Sequence, residues 1–172
     1  KNQLPALIKE LEKLSRNLSK EEFERIRSSS PTSNVNRAAR FIYLNKTCFN
    51  GLWRVNSSGQ FNVPWGKLKN PLIFDPLNLE ACRKRLVGAK ITTGGFSEAL
   101  QSAKENDLVY LDPPYIPLSS SSSFSQYAKD NFGIDDHEEL ADTIARLTKK
   151  GVRVILSNSD TPETRRIFGK TL

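Results

Sequence analysis

The segment Asp112-Pro113-Pro114-Tyr115 has the residue types with which the chain could do chemistry. It follows the apolar run 108–111, which predicts a short buried β-strand. In open α/β sheets, ligands bind outside the carboxyl ends of the strands. Consecutive prolines have fixed φ angles and no N–H donors, so their carbonyl oxygens remain as acceptors on a stiff backbone. These groups suit a ligand that carries an amino group on a flat ring. The alternative is a plain strand end with a proline turn.

The positive charge of the chain is concentrated in its first part. Residues 1–70 contain 13 Lys and Arg against 5 Asp and Glu, a net charge of +8, whereas residues 71–172 contain 13 against 14, a net charge of −1. The range 25–74 has no acidic residue and contains the basic residues Arg25, Arg27, Arg37, Arg40, Lys46, Arg54, Lys67 and Lys69. Such charge, interleaved with aromatic residues, is typical of a protein that binds nucleic acid. A solvated basic face is the alternative.

Length and composition limit the possible folds and functions. A chain of 172 residues has room for one α/β domain, or for a small domain and part of another. No apolar run reaches the roughly 18 residues that indicate a membrane span, and no GxxxxGK[ST] phosphate loop is present. Cys48 and Cys82 lie far apart and are expected to be free thiols. The single histidine, His137, is predicted to lie on the surface. Neither a metal site nor a serine triad is therefore expected.

The first half of the chain is predicted to form helices and then a hairpin. Regularly spaced leucines indicate an amphipathic first helix, and Ser19 with Glu22 forms a capping box for the second. Two short runs flank a glycine-containing turn, a pattern that predicts a β-hairpin. The predicted bounds are 4–18 and 36–47 for the first and third helices, and 52–56 and 60–63 for the two sides of the hairpin.

The second half is predicted to form a βαβ unit. Asp75 and Pro76 are typical of a helix start, and residues 91–93 are predicted to form a strand. A strand over 108–111, a helix over 136–150 and a strand over 152–157 follow. The two strands should be parallel, with a right-handed crossover between them. We therefore expect Asp112 and the pair Ser157-Asn158 to lie at the same edge of the sheet.

Two long segments of the chain resemble the Dam-type (D12 class) DNA adenine-N6 methyltransferases. The target-recognition segment of that family resembles residues 37–66, RAARFIYLNKTCFNGLWRVNSSGQFNVPWG, and its catalytic half resembles residues 108–162, which contain LVYLDPPYIPLS and VILSNSDTP. The two segments have the same order as in the family. The resemblance implies an α/β fold, with a helical, hairpin-bearing target-recognition domain over residues 1–86. A partial Rossmann-like methyltransferase core would occupy residues 87–172.

The resemblance also implies a reaction. In the family, the Asp-Pro-Pro-Tyr segment binds an adenine flipped out of duplex DNA and adjoins the methyl donor S-adenosylmethionine. The resemblance therefore implies that the catalytic site consists of Asp112, Pro113, Pro114 and Tyr115. It also implies that Phe96 and Asp112 contact the donor. No metal is expected to take part. Whether Asp112 also removes a proton is left open by the sequence.

Recognition of the DNA sequence is assigned to the hairpin. A two-stranded ribbon fits the major groove, where an arginine can make a bidentate contact to guanine. By resemblance, Arg54 reads a base and Leu52 and Pro64 make apolar base contacts. In the family, similar segments occur in enzymes that act at the site GATC, which is therefore the expected recognition site. The sequence leaves open whether Trp53 and Trp65 belong to the core. The full set of expected DNA contacts is Lys46, Phe49, Asn50, Leu52, Arg54 and Pro64.

The sequence departs from the family pattern around the donor. The Phe-x-Gly-x-Gly donor loop has no counterpart in the 172 residues, which indicates a fragment, and Gly95 stands where many relatives have an acidic residue. We therefore expect this chain alone to bind duplex DNA as a monomer but to bind the donor poorly. A DNA-binding fragment without catalysis is the alternative function, and the hairpin match argues against a methyltransferase that acts on RNA. The expected location is the cytoplasm of a bacterium or of a phage-infected cell, at the nucleoid.

Overall fold

The computed structural model describes residues 3–117 and 132–169. The chain forms two compact units, Lys1–Lys90 and Ile91–Leu172. Each unit contains a hydrophobic core of its own. Residues 119–123 are five consecutive serines, a composition typical of a loop, and they lie outside the described residues.

The first unit is helical, and polar side chains cap the beginnings of its second, third and fourth helices. Ser19 and Ser33 accept hydrogen bonds from backbone N–H groups in the first turns of the second and third helices, at 3.2 Å each. Asp75 caps the fourth helix in the same way, accepting from Leu77 N at 2.8 Å. The elements are α1 (Leu4–Ser15), α2 (Lys20–Ser28), α3 (Asn34–Thr47), a 3₁₀ turn (Phe49–Gly51) and α4 (Pro76–Arg85).

The bounds of two helices differ from the predicted ones. The first helix ends at Ser15 rather than at residue 18, because Ser19 has extended backbone as the cap of the next helix and Asn17 Oδ1 accepts from its N–H at 3.1 Å. The third helix begins two residues early, at Asn34, because Ser33 is its cap. The core of the unit lies between α1, α2, α3 and the hairpin, and its largest fully buried side chains are Leu11, Phe23, Tyr43, Leu44, Cys48 and Val63.

The second unit contains the predicted βαβ arrangement. The first strand pairs with the second in parallel, from Leu108 opposite Arg153 to Leu111 opposite Leu156, which confirms the predicted pairing. The helix between the strands packs against the second strand. The elements are α5 (Phe96–Leu100), β1 (Leu108–Leu111), α6 (Ile134–Lys149), β2 (Arg153–Leu156) and α7 (Pro162–Phe168).

Three predictions for the second unit are wrong. The strand over 108–111 is not buried, since Leu108 and Tyr110 are 61% and 63% exposed. Residues 91–93, Ile-Thr-Thr, form no strand, because within the described structure they pair with neither β1 nor β2, and Ile91 is 72% exposed. His137 lies in the core rather than on the surface, with 3% of its area exposed. It belongs to the face of α6 that also buries Leu140 and Ile144, spaced three and seven residues further along.

Candidate active site and nucleic-acid interface

The segment Asp112–Tyr115 directly follows the last residue of β1. Asp112, Pro114 and Tyr115 are exposed, and Pro113 is half-buried. Among the described residues, no hydrogen bond or ion pair engages the Asp112 carboxylate. The acceptor groups that the sequence predicted therefore lie free at the carboxyl edge of the sheet, where a ligand can reach them.

The end of β2 holds the segment that follows β1. The Tyr115 hydroxyl is hydrogen-bonded to Ser157 Oγ, and Ile116 N donates to Asn158 Oδ1 at 3.1 Å. Ser159 Oγ donates to Ile116 O. We call these three residues, Ser157, Asn158 and Ser159, the serine-asparagine clamp. The strand register explains it, because Leu111 pairs with Leu156 and the residues after each strand meet.

The role of the clamp was missed from the sequence. The sequence placed Ser157 and Asn158 at the same edge as Asp112 but assigned them no function. The available signal was a run of three short polar residues immediately after a strand that pairs with β1. Such residues form local hydrogen bonds to backbone groups rather than continue a strand.

Phe96, the predicted donor contact, lies in the first turn of α5 and is half-buried. Its ring packs against Phe132, with centroids 6.0 Å apart and planes at 62°. It contacts the core cluster that contains Ile116, four residues after Asp112. Phe96 and the Asp112–Tyr115 segment thus belong to the same unit and adjoin the same buried cluster.

His137 continues this aromatic cluster. Its ring packs edge-on against Phe132 at 4.8 Å and against Phe168 at 6.0 Å. Burial lowers the pKa of the imidazole, and the neighbouring Asp136 carboxylate only partly opposes this effect. His137 Nδ1 has no hydrogen-bond partner among the described residues. The neutral imidazole is therefore part of the core packing, not of the exposed acceptor groups.

The predicted hairpin is present in the first unit as a short antiparallel ribbon. Val55 and Phe61 form a bridge, Asn56 N donates to Gln60 O at 2.8 Å, and Asn62 N donates to Arg54 O at 3.0 Å. The turn contains Gly59, whose φ of +74° lies in the region that favours glycine. Pairing is limited to single bridges, so neither side of the hairpin forms a full strand.

The base of the hairpin is tied to the end of α3. Phe49 N donates to Pro64 O at 2.9 Å, and Gly66 N donates to Thr47 O at 2.8 Å. Asn50 has a φ of +52° and precedes Gly51, with a φ of +62°, in the turn that leads into the hairpin. These bonds hold the ribbon at a fixed position on the helical part of the unit.

All six residues predicted to contact DNA are exposed. The large apolar side chains Phe49 and Leu52 are 51% and 42% exposed. Trp53 and Trp65, in contrast, pack against the core, and the Trp53 ring lies between Phe41 and Phe61 at centroid distances of 4.5 and 4.8 Å. The exposed set is Lys46, Phe49, Asn50, Leu52, Arg54 and Pro64.

Some of the basic residues in the acid-free stretch have structural partners. Arg25 pairs with Glu22 and Arg27 with Glu24, at 2.6 and 2.7 Å. Arg40 donates to the carbonyl oxygens of residues 26 and 27, at 3.0 and 2.6 Å, and so satisfies the C-terminal end of α2. Arg25 and Arg27 therefore carry less of the attraction to a polyanion than the sequence predicted, whereas Arg40 has no acidic partner among the described residues and keeps its positive charge.

A hollow of about 880 Å³ lies between α3, the segment before it and the hairpin. Its lining includes the basic side chains Arg27, Arg37 and Arg40, together with Phe41 and Trp53. No acidic residue is among its lining residues. The first unit thus has a concave, positively charged surface beside the hairpin.

The described residues contain no group of three or more His, Cys, Asp or Glu side chains that could hold a metal ion. Cys48 is buried and Cys82 exposed, and both are free thiols. Within residues 3–117 and 132–169, no helix combines the length and the apolar character needed to cross a membrane.

A family model matches the chain almost from end to end. The D12 class N6 adenine-specific DNA methyltransferase model covers residues 1–171. The chain belongs to this family. Its fold, a mixture of helices with a parallel two-stranded sheet, is compatible with part of an α/β methyltransferase.

Individual relatives agree with the family match. The type II methyltransferase M1.LlaDCHI of Lactococcus lactis subsp. cremoris is 42% identical over 170 residues, which is 94% of this chain and 60% of that protein. The type II methyltransferase M.MjaIII of Methanocaldococcus jannaschii is 49% identical over 73% of this chain and 43% of its own length. A DNA adenine methylase of Vibrio cholerae is 38% identical over 77% of this chain and 48% of its own length. The chain therefore spans about half the length of these relatives.

Proposed function

We propose that the chain carries the target-recognition part and the catalytic segment of an enzyme that methylates adenine N6 in duplex DNA. The observation that supports this most directly is the exposed Asp112–Tyr115 segment, held by the clamp at the carboxyl edge of the sheet in a chain of this family. The division into a recognition domain over residues 1–86 and a partial Rossmann-like core over 87–172 is part of the proposal.

The residues of the segment suit an exocyclic amine. The lone pair of the adenine amine is delocalised into the ring, so the nitrogen is a poor nucleophile. Two acceptors on its hydrogens, the Asp112 carboxylate and the Pro113 carbonyl, would favour a tetrahedral nitrogen with a free lone pair. The carboxylate also stabilises the positive charge that develops on nitrogen as the methyl group arrives. The Tyr115 ring offers a stacking face to a base that has left the helix.

The methyl donor of such a reaction is S-adenosylmethionine, which supplies an electrophilic methyl group when it is bound. The residues around α5 fit one portion of that molecule. The half-buried ring of Phe96 adjoins the same cluster as Ile116, so it offers an aromatic contact near the Asp112 segment. Gly95, before Phe96, supplies no side chain for a polar contact. No metal takes part in the proposed reaction.

The hairpin is the proposed reader of the DNA sequence, with GATC as the proposed site. Its exposed Arg54 would make the guanine contact, and Leu52 and Pro64 the apolar base contacts. Phe49 and Asn50 would act where protein and DNA meet, and Lys46 would bind the backbone. The basic hollow beside the hairpin supports a polyanionic partner on this face of the unit. The proposed working state is a monomer on DNA in the cytoplasm.

Methyl transfer by the complete gene product that contains this chain tests the proposal. Radiolabelled donor would be mixed with duplexes that differ only in whether they contain GATC, and with single-stranded DNA and RNA of the same sequence. We expect label on the adenine of the GATC duplex alone. Sequence-specific binding without label would instead support the non-catalytic alternative. Equal labelling of every duplex would contradict the proposed site but not the proposed reaction.

A further inference from the structure

Asn158 and Ser159 hold both backbone groups of one residue in the segment after β1. Asn158 Oδ1 accepts a hydrogen bond from Ile116 N at 3.1 Å and another from Ser159 N at 2.8 Å. Ser159 Oγ donates to Ile116 O. The N–H and the carbonyl of Ile116 are therefore both fixed to the end of the neighbouring strand.

Ile116 anchors the backbone at the end of the acceptor segment, and Ser157 separately holds the Tyr115 hydroxyl. Pro113 and Pro114 have no N–H, so they cannot be held by hydrogen bonds from their own nitrogens. The side chain of Ile116 is 5% exposed and packs in the core of the second unit. The Pro113 carbonyl and the Tyr115 ring lie between this anchor and the end of β1. Movement of Ile116 would therefore displace both groups.

We propose that Asn158 is a positioning residue for the target amine. It acts through Ile116, which fixes the backbone that carries the Pro113 carbonyl and Tyr115, while Ser157 also holds the Tyr115 hydroxyl. This role of Asn158 rests on the proposed function. Asn158 holds Ile116 through its side-chain oxygen alone, because Nδ2 is buried and has no hydrogen-bond partner among the described residues. Displacement of a reacting group by about 1 Å can lower a rate roughly a hundredfold. Loss of the oxygen should therefore lower kcat more than it weakens binding of DNA.

Thr161, which follows β2 three residues after Asn158, offers a matched control. Thr161 is 6% exposed and caps α7, accepting a hydrogen bond from Thr164 N at 3.0 Å. Its side chain makes no hydrogen bond to residues 112–116 within the described structure. Thr161→Ala should therefore destabilise the unit without releasing Ile116. Any effect that comes only from lower stability should appear in this variant as well.

Three variants of the complete gene product test the role of Asn158. We expect Asn158→Ala to lower kcat on duplex DNA at least tenfold, with DNA affinity and the KM for DNA within about threefold of wild type. Asn158→Asp keeps an oxygen that can accept from Ile116 N, so it should recover most of kcat. Thr161→Ala should stay within about twofold of wild type at a temperature where it is fully folded.

The exchange rate of the Ile116 amide hydrogen gives a readout that needs no activity. It should rise at least tenfold in Asn158→Ala and stay near the wild-type rate in Asn158→Asp and Thr161→Ala. Absence of methyl transfer by the wild type would contradict the proposed function alone, since this exchange rate still decides whether Asn158 holds the segment. The role of Asn158 is overturned if kcat of Asn158→Ala stays within twofold of wild type, if a folded Asn158→Asp is equally inactive, or if Ile116 exchange does not change. Should Asn158→Ala fail to fold, Asn158→Leu takes its place, because it keeps the volume of the side chain but has no acceptor for Ile116 N, and the same losses are expected.

Discussion

The Arg54 guanidinium is hydrogen-bonded to Asn62 across the hairpin. Arg54 Nε donates to Asn62 Oδ1 at 2.8 Å, and Nη2 approaches Asn62 O at 3.4 Å. The two residues lie on opposite sides of the ribbon, where Asn62 N also donates to Arg54 O. The Arg54 side chain is thus held in one orientation although it is exposed. Such preorganisation lowers the entropic cost of ordering the side chain when it binds a ligand.

Arg54→Ala should relax the site preference at one base pair. A bidentate contact from arginine to guanine contributes about 1–3 kcal/mol of discrimination against the wrong base. Binding of wild type and variant would be compared on a GATC duplex and on duplexes with each single substitution. Equal weakening on every duplex would show that Arg54 binds a phosphate and that specificity resides elsewhere. Asn62→Ala should cause a smaller loss of discrimination at the same base pair, because it frees the Arg54 side chain from its fixed orientation but leaves the guanidinium in place.

Removal of Lys67 and Lys69 should weaken binding of all duplexes alike. Both lysines are exposed, beyond the hairpin and within the acid-free stretch. For each phosphate that a lysine no longer neutralises, the slope of log affinity against log salt should become shallower by about one. Affinity measured at several salt concentrations checks this expectation. Lys104→Ala, in the acidic half of the chain, is the matched control and should leave the slope unchanged.

Asp112→Ala should abolish methyl transfer while sparing the fold. The carboxylate is exposed and has no partner among the described residues, so its removal breaks no structural contact. Loss of an electrostatic contact of this kind costs roughly 3 kcal/mol or more in the transition state. Turnover by the complete gene product, with thermal unfolding as the control for folding, provides the measurement. A rate within a few-fold of wild type would rule out the catalytic assignment.

The sequence predicted the βαβ unit because each of its elements carries a local signal. The apolar run of β1 gave its bounds, and the predicted second strand, 152–157, contains the observed Arg153–Leu156. The failures have local causes too. His137 is flanked by acidic residues, which suggested a solvent face, yet its spacing from Leu140, Ala141 and Ile144 is the stripe that α6 buries.

The candidate site could be predicted only in part. The position of Asp112 after a strand follows from the sequence alone. The clamp does not, because it depends on the register that pairs Leu111 with Leu156 and so brings Asn158 to Ile116 across 42 positions of the chain. The internal pairing of Arg25 and the burial of Arg40 likewise depend on how α2 and α3 pack.

Gly66→Ala should destabilise the hairpin base. A Cβ at residue 66 would lie 2.5 Å from Cys48 O and 3.0 Å from Thr47 O, and both are backbone atoms that cannot turn aside. Overpacking of this kind costs about 1–3 kcal/mol. Chemical denaturation followed by tryptophan fluorescence reports on the first unit, which contains both tryptophans. Gly95→Ala is the control, and its unfolding is followed by far-UV circular dichroism because residue 95 lies in the second unit. No atom lies within 4 Å of its added Cβ, so the change should stay within about 0.5 kcal/mol.

The stability of the second unit should fall as the pH falls through the titration range of His137. Burial lowers the pKa of this histidine in the folded state below its ordinary value of 6.5. Below pH 6.5 the unfolded chain therefore binds a proton that the folded chain resists. The stabilisation is complete above that pH and is lost as the pH falls toward the folded-state pKa, with a slope of at most about 1.4 kcal/mol per pH unit for one proton.

His137→Phe keeps a ring beside Phe132 and Phe168 and should remove this slope. Denaturation at several pH values between 5 and 8 measures it, and a slope equal in both proteins would contradict the assignment. Carboxylates such as Glu163, whose pKa the Arg166 guanidinium lowers, titrate at lower pH and contribute equally to both.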